Sequence, residues 1–220
     1  MIHLEKAGIY LSKPITYILV LIYLAQSALL IFLIHDKYEL ETQIQYQQEQ
    51  ITELEEKLKI FKVIDDYQIG FTDEEKGRLA NVILDECEKY NYDPLFLMGL
   101  IITESSFRRG QVSHRGAQGL MQVMPPVGRT LAHGSGMDWQ ENQTLFDFES
   151  NIKLGSLHLF RQILKFKSVD KGIMSYNQGE TSLRRRIRQN KPLPKTYLKK
   201  VIAKYQELKE KYDVLPGKIS

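Results

Sequence analysis

The chain of 220 residues is 43% hydrophobic and 26% charged, which is the composition of a globular protein and excludes a disordered or collagen-like chain. Its single cysteine, Cys87, excludes an internal disulfide. The formal net charge is only +3, but residues 1–150 carry 13 Lys and Arg against 22 Asp and Glu, whereas residues 151–220 carry 17 against 5. The basic C-terminal third predicts an anionic partner, such as nucleic acid, a membrane surface or an acidic polymer.

The first predicted element is an apolar helix. Residues 15–34 are twenty in number and contain no charged side chain, and as a helix they span about 30 Å, enough to cross a bilayer core. A cleaved signal peptide is the competing interpretation, with a small-residue cleavage site at residues 25–28. Because the apolar run continues past that site to Ile34, we predict an uncleaved transmembrane anchor preceded by a cytoplasmic segment, residues 1–14.

The charges that flank this anchor predict its orientation. Lys6 and Lys13 precede it, together with the terminal amine, whereas Lys37 is the one cationic residue in the next twenty positions. Basic flanks remain on the cytoplasmic side of a membrane. We therefore expect the rest of the chain to lie outside the cytoplasm.

Residues 36–62 are polar, rich in glutamine and free of glycine and proline. Positions at alternating spacings of four and three follow the a and d pattern of a heptad, with one polar interruption. These positions are Leu40, Ile44, Gln47, Ile51, Leu54, Leu58 and Phe61. The pattern predicts a coiled-coil stalk that pairs with a second copy of the chain. The alternative is that this apolar stripe packs on the chain's own folded domain.

Residues 71–212 are predicted to form one all-α domain, followed by a C-terminal tail, residues 213–220. Thr72 and Glu75 have the spacing of a capping box, which predicts a helix that begins there and continues to about Tyr90. Asp93 and Pro94 predict an N-cap and the first position of the next helix. A partly helical segment, residues 120–131, is expected to be interrupted at Pro125-Pro126. Further helices are predicted over residues 148–166, 169–177 and 195–212.

Glu104 lies near the C-terminus of the apolar helix that begins at Pro94. The helix dipole disfavours a negative charge there, and apolar neighbours withhold water, so both effects raise the pKa of the carboxyl group. A carboxylic acid that stays protonated near neutral pH is what a general acid in glycoside cleavage requires. An isolated glutamate near a helix end is ordinarily a surface residue, so the assignment of Glu104 as a catalytic acid depends on the motifs around it.

Three motifs in order resemble those of a known family. They are Glu104-Ser105-Ser106-Phe107, the run from Val112-Ser113 through Gly116-Ala117 to Gly119-Leu120-Met121-Gln122-Val123-Met124-Pro125, and Ser175-Tyr176-Asn177-Gln178-Gly179. The first two resemble the ESxF and SxxGAxGLMQxMP signatures of the lytic transglycosylases with a soluble-lytic-transglycosylase (SLT), lysozyme-like domain. The third resembles the family's AYNAG, with Ser175 and Gln178 where the family has alanines.

This resemblance implies an all-α, lysozyme-like SLT domain in which Glu104 acts as acid and then as base, without a second carboxylate. Asp138, Asp147, Glu149 and Glu180 are other acidic residues, but none lies in a matching motif. The implied activity is cleavage of the bond between N-acetylmuramic acid and N-acetylglucosamine in peptidoglycan, with a 1,6-anhydromuramyl product. The implied substrate-binding residues are Ser113, Gln122, Met124, Tyr176 and Asn177. Ser113 and Asn177 are equally typical of turns and caps, and Tyr176 could hold either Glu104 or the sugar.

The resemblance also indicates which of the possible anionic partners the chain binds. Peptidoglycan is an anionic polymer and accounts for the basic C-terminal third without nucleic acid, and it predicts a bacterial inner-membrane protein with its catalytic domain in the periplasm. No histidine has the spacing of a metal ligand, so we expect neither metal nor cofactor. A lysozyme-type hydrolase of peptidoglycan or chitin, and a catalytically silent wall-binding scaffold, are the alternatives.

Overall fold

The computed structural model describes residues 13–67 and 70–212 of the chain. Within these ranges the regular structure is helical, and the β contacts are two isolated antiparallel bridges, Val112 to Gln118 and Gln118 to Val123. The helices are α1 (Lys13–Asp66), α2 (Asp73–Tyr90), α3 (Pro94–Ser105), α4 (Pro125–Ser135), α5 (Phe148–Phe166), α6 (Val169–Gln178), α7 (Glu180–Arg188) and α8 (Lys195–Tyr212). The predicted all-α class is confirmed. The predicted tail, residues 213–220, and most of the predicted cytoplasmic segment lie outside the described residues.

The chain divides into two compact units, Met1–Leu54 and Glu55–Ser220. In the first unit the described residues all belong to α1, which contains the charge-free segment 15–34. With a mean hydropathy of 2.5 over its most apolar window, this helix is long and apolar enough to cross a membrane. An N-terminal signal sequence meets the same criteria of length and composition, so the uncleaved anchor stays a prediction.

The predicted stalk, residues 36–62, lies entirely within α1. Most of its apolar heptad positions are exposed in the single chain, for example Leu40 at 55% and Leu54 at 58%. Pairing with a second copy stays a prediction. The second unit begins at Glu55, and the end of α1 belongs to its core, because Ile60, Val63 and Ile64 are buried there.

Two capped helices follow in the second unit, as predicted. At the start of α2, the Thr72 hydroxyl accepts from the Glu75 N–H at 3.2 Å, and the Glu75 carboxylate accepts from the Thr72 N–H at 3.0 Å. At the start of α3, Asp93 Oδ1 accepts from the N–H groups of Leu95 and Phe96 at 2.8 and 3.3 Å. Both caps satisfy N–H groups that the first turn of a helix leaves unpaired.

Helix α3 is buried along most of its length and packs closely against α8. Gly99 makes this close approach possible, since a Cβ there would lie 3.1 Å from the backbone nitrogen of Tyr205. The two helices run in opposite directions, because Gly99 faces Tyr205 while Glu104, further along α3, contacts Tyr197, earlier in α8. This packing brings α8 to the end of α3 that carries Glu104.

The remaining helices follow the predicted pattern with two exceptions. The predictions for α5 and α8 are confirmed, and α6 extends one residue further than predicted. The predicted interruption at Pro125-Pro126 was wrong: α4 begins there, since proline lacks the N–H that the first turn cannot satisfy in any case. Helix α7 was not predicted, although its arginine-rich sequence is compatible with a solvated helix.

Candidate active site

Glu104 lies in the last turn of α3, partly buried, just before a sharp change in chain direction. The residue that caps the end of the helix, Ser106, adopts a left-handed conformation with φ of 50°. Burial raises the pKa of the Glu104 carboxyl group to about 7, and a hydrogen bond from Tyr197 opposes that rise. The predicted direction of the shift agrees with this result, and burial is its cause. Such a carboxyl group can donate and accept a proton near neutral pH.

The Tyr197 hydroxyl donates a hydrogen bond to Glu104 Oε1. Tyr197 is itself largely buried, and both that burial and the charge of Glu104 raise its pKa well above the ordinary value. It therefore keeps its proton and acts as a donor to the carboxyl group. Tyr197 could not be assigned from the sequence, because a tyrosine on a helix face shows no signal that distinguishes packing from function.

The segment after α3, residues 108–124, forms what we call the motif loop. Its chain is held by the bridges of Gln118 to Val112 and Val123 and by a hydrogen bond from the Gly119 N–H to the Gln111 carbonyl at 2.9 Å. Gly119 adopts φ of +79°, and a Cβ there would lie 2.1 Å from Asn151 Nδ2. Both the conformation and the space require glycine at this position.

Asn151 of α5 is fully buried beneath the motif loop. Its Oδ1 accepts from the Met121 N–H at 2.7 Å, and its Nδ2 donates to the carbonyl groups of Gln118 and Leu145, both at 2.9 Å. These bonds satisfy three backbone groups. Sequence analysis missed Asn151, because it lies in a different part of the chain and carries no local motif.

Gln122 and Ser113 both stabilise the motif loop. Gln122 Nε2 donates to the carbonyl oxygens of Gly119 at 2.9 Å and Gln111 at 3.1 Å. The Ser113 hydroxyl accepts from the Ala117 N–H at 3.0 Å and so closes a turn. Ser113 therefore acts as a turn residue, which is one of the two roles predicted for it. The hydrogen bonds of the described residues connect neither Ser113 nor Gln122 to Glu104.

Tyr176 belongs to α6 and contacts the motif loop. Its hydroxyl donates to the Met121 carbonyl at 2.6 Å, so the suggested bond to Glu104 is made by Tyr197 instead. Burial and the charge of Glu104 raise the pKa of Tyr176 well above its ordinary value. The three groups, Glu104, Tyr176 and Tyr197, therefore lie near one another. The adjacent His158 ring lies 5.1 Å away from that of Tyr176, centroid to centroid, and burial lowers its pKa to about 4, so it is neutral.

Ser175, which stands where the AYNAG motif has its first alanine, is hydrogen-bonded within the core. Ser175 is fully buried, and its hydroxyl donates to Oε1 of the buried Gln162 at 2.6 Å. The hydroxyl that replaces an alanine methyl group is thus satisfied within the core. Gln162 in turn contributes to the groove described next.

Two adjoining depressions cross this face of the second unit. The larger, which we call the main groove, has a volume of about 580 Å³ and is lined by Gln122, Met124, Tyr176 and Asn177, among others. The smaller, of about 290 Å³, is lined by Tyr197 and Lys200 and shares Asn177 with the first. Four of the five predicted substrate-binding residues therefore line the main groove, and Ser113 does not. Glu104 is bonded to Tyr197, which lines the smaller depression.

The other acidic residues considered in the sequence serve structural contacts. Asp147 caps α5 through the Ser150 N–H at 2.9 Å, and Glu149 lies 3.7 Å from Arg78. Glu180 lines the main groove, but hydrogen bonds from Lys165 and Arg184 lower its pKa and keep it ionised. Glu180 is therefore unsuited to donate a proton. Among the described residues, no group of three or more His, Cys, Asp and Glu side chains has the geometry of a metal site.

The sequence of the chain matches a known protein family. The family described as the transglycosylase SLT domain matches residues 81–199, more than half of the chain. The chain belongs to this family. The match contains all three motifs and also Tyr197, and it confirms the resemblance that the motifs indicated.

Curated relatives of this SLT domain are similar over a limited region. Membrane-bound lytic murein transglycosylase C from Mannheimia succiniciproducens is 33% identical over 85 residues, which cover 38% of this chain and 24% of the relative. The transglycosylase of Enterobacteria phage PRD1 is 30% identical over 91 residues, which cover 41% of this chain and 31% of the relative. The chain thus matches only 24% and 31% of the lengths of these two relatives.

Solved structures support the fold of the SLT domain. The 70 kDa soluble lytic transglycosylase from Escherichia coli matches 59% of this chain and 24% of its own with a TM-score of 0.53 and 20% identity. An inactive mutant of the lytic transglycosylase Slt from Pseudomonas aeruginosa matches 60% of this chain and 24% of its own with the same TM-score and identity. The predicted SLT fold is confirmed.

Proposed function

We propose that this SLT domain is a lytic transglycosylase that cleaves the β-1,4 bond between N-acetylmuramic acid and N-acetylglucosamine in peptidoglycan. The observation that carries the proposal is Glu104, a partly buried carboxyl group with a pKa of about 7. It is bonded to Tyr197 in the lining of the smaller depression. That depression shares Asn177 with the main groove, which we propose as the glycan groove. The names of the relatives, lytic murein transglycosylases, support the same class of substrate.

Glu104 first acts as the acid. Its proton passes to the glycosidic oxygen, and the bond from that oxygen to C1 of the muramic acid breaks as the positive charge develops on the sugar. The oxygen of the substrate's own N-acetyl group meets this charge at C1, which replaces a second protein carboxylate. Tyr197 stabilises the resulting Glu104 carboxylate through Oε1 and leaves Oε2 for proton transfer.

Glu104 then acts as the base. Its carboxylate accepts the proton of the muramyl C6 hydroxyl, whose oxygen attacks C1 and displaces the N-acetyl oxygen. The product is a 1,6-anhydro ring, and Glu104 regains its proton for the next cycle. Because no water is consumed, the partial burial that raises the pKa of Glu104 also favours ring closure over hydrolysis.

The groove residues have distinct proposed roles. Met124 is exposed at 39% and offers an apolar surface for a sugar ring. Gln122 and Asn177 present amide groups to the substrate, and Tyr176 supports the motif loop at Met121. Ser113 acts indirectly, since it closes the turn that shapes the same loop.

Products of peptidoglycan digestion test this function. The full chain, solubilised in detergent, is incubated with purified peptidoglycan, and the products are identified by mass spectrometry. Anhydromuramyl products are expected, and reducing-end muramic acid would indicate a hydrolase instead. Glu104→Gln should lower the rate by about a hundredfold or more, because general acid catalysis is lost.

Glu210→Gln is the matched control, since Glu210 is an exposed glutamate of α8. It should leave the rate unchanged. Undiminished cleavage in Glu104→Gln would contradict the assignment of Glu104, and the absence of cleavage by the unaltered chain would favour a silent wall-binding protein.

We also propose that residues 15–34 anchor the chain in a bacterial inner membrane as a single span, with the SLT domain in the periplasm. The apolar helix and the membrane-bound name of the relatives support an anchor, and Lys6 and Lys13 before it support the orientation. A reporter that is active only outside the cytoplasm, fused after Leu54, should be active. Activity only with a cytoplasmic reporter would reverse the topology.

The exposed heptad positions of α1 support pairing with a second copy of the chain. Single cysteines at Ile44 and Ile51, both exposed, test it in a Cys87→Ser background. Cross-linked dimers are expected at both positions, and a cysteine at Glu49, which is exposed on the side of the helix opposite the apolar seam, is the control. Equal cross-linking at Glu49 would indicate random collision rather than a coiled coil.

A further inference from the structure

A basic pocket lies at the meeting of α5, α6 and α7, outside the groove assigned above. Its volume is about 440 Å³, and it is lined by Lys165, Phe166, Lys171, Arg184, Ile187 and Arg188. Four of these six side chains are cationic. The pocket contains part of the arginine-rich sequence of α7, which neither the SLT motifs nor the proposed mechanism uses.

Two of the four cations of the basic pocket, Lys165 and Arg184, share one carboxylate. Glu180 accepts from Arg184 Nε at 2.8 Å and also from Lys165 Nζ. The Arg184 guanidinium lies 4.9 Å from the centroid of the Phe166 ring, which holds its plane in place. One negative charge among four positive charges leaves the pocket electropositive, and an arginine held in advance loses less entropy when it binds a carboxylate.

The basic pocket adjoins the glycan groove. Lys165 lines both depressions, and its partner Glu180 lines the glycan groove. The junction between α6 and α7, at Gly179, separates Tyr176 and Asn177 on the groove side from Arg184 on the pocket side. A branch that leaves a glycan strand in the groove would therefore meet the basic pocket.

We propose that the basic pocket binds the carboxylates of a peptidoglycan stem peptide, the short acidic peptide carried by muramic acid. This inference rests on the proposed function, because it assumes a glycan strand in the groove. Arginine forks match carboxylates in geometry and charge, while Phe166 and Ile187 offer apolar surface for alanyl side chains. The volume is within the range of small-ligand sites, and its concave form suits a peptide better than a flat membrane surface.

Two glycan substrates test the proposal with the full chain in detergent. One is glycan strands that retain their stem peptides, and the other is the same strands after an amidase has removed the peptides. In the double variant Lys171→Ala, Arg188→Ala the KM for the peptide-bearing strands should rise about tenfold, while the KM for peptide-free strands stays the same. Arg185→Ala is the control, since Arg185 is exposed on α7 outside the pocket lining, and it should change neither value.

Binding of the free stem tetrapeptide, measured by calorimetry, provides a readout that does not need cleavage. The unaltered chain and Arg185→Ala should bind it with the same Kd, and the double variant should bind about tenfold more weakly. Equal losses on both kinds of strand, or no loss in KM and Kd, would overturn the proposal. If the chain binds the peptide but does not cleave glycan, the peptide-binding role of the pocket stands and the proposed function is wrong. If the chain cleaves both kinds of strand with the same KM and does not bind the peptide, the proposed function stands and the peptide-binding role is wrong.

Discussion

Two walls flank Glu104, and they differ in how the sequence encodes them. The motif loop, residues 108–124, follows Glu104 directly, and its glycines and Gln122 form a recognisable pattern. The wall formed by α8 brings Tyr197 to the carboxyl group from 93 residues further along the chain. One wall is specified by local turn geometry and the other by helix packing, so their failures under mutation should differ in kind.

The largest effect is expected where the motif loop depends on a distant residue. Asn151→Ala leaves the Met121 N–H and the Gln118 and Leu145 carbonyl groups without their buried partner. At about 1 to 3 kcal/mol for each unsatisfied group, the free energy of unfolding should fall by about 4 kcal/mol. Chemical denaturation measures this loss. Asn81→Ala, at an exposed position of α2, is the control and should change stability by less than about 0.5 kcal/mol.

Two glycines of the motif loop sharpen the local half of the comparison. Gly116 and Gly119 have nearly equal φ of +82° and +79°, but only Gly119 lacks room for a Cβ, which would lie 2.1 Å from Asn151 Nδ2 and 2.3 Å from the Leu145 carbonyl oxygen. Gly116→Ala should cost about 1 kcal/mol for backbone strain alone. Gly119→Ala should cost about 3 kcal/mol, because a steric clash is added. Equal costs, measured by thermal unfolding, would mean that Asn151 and Leu145 do not confine this turn.

The sequence allowed the local features to be predicted. The caps at Thr72 and Asp93, the raised pKa of Glu104 and the helical spans of α5 and α8 all follow from residues within a few positions of one another. Asn151 and Tyr197 could not be assigned, because their roles depend on which helices pack together. The role of Gly99, which allows α8 to pack closely on α3, could not be predicted either, because it depends on the contact with Tyr205.

Glu104 itself, which lies between the two walls, should reduce the stability of the fold at alkaline pH. Its pKa rises from 4.5 to about 7 because of burial, so its contribution to stability is fully present below pH 4.5 and is lost as the pH rises through about 7. Glu104→Gln removes this titration. The variant should match the unaltered chain at pH 4 and exceed its free energy of unfolding by about 2 kcal/mol at pH 8, within the limit of about 3 kcal/mol set by the shift.

Denaturant titrations at pH 4, 6 and 8 check this prediction. Glu210→Gln should follow the unaltered chain at every pH, since Glu210 is exposed. If Glu104→Gln were less stable at pH 8, the carboxylate would be stabilised in the folded chain, and the proton that the mechanism requires would be absent near neutral pH.

Tyr197→Phe tests the α8 wall and should have the smallest effect. The lost hydroxyl donates to Glu104 and lowers the pKa of that carboxyl group. Its removal should raise the pKa above about 7, so the protonated acid persists to higher pH and the alkaline limb of kcat/KM moves upward. The plateau should fall about tenfold, since the carboxyl group loses the bond that orients it.

The matched control is the other buried tyrosine of the site. The Tyr176 hydroxyl donates to the Met121 carbonyl, so Tyr176→Phe should lower the plateau through the motif loop and leave the alkaline limb in place. pH–rate profiles of both variants on one peptidoglycan preparation separate the two walls: one tunes the proton of Glu104 and the other shapes the groove. The alkaline limb of the profile reports the pKa of the essential acid. If that limb shifted in Tyr176→Phe and not in Tyr197→Phe, Tyr176 would be the residue that sets the pKa of Glu104.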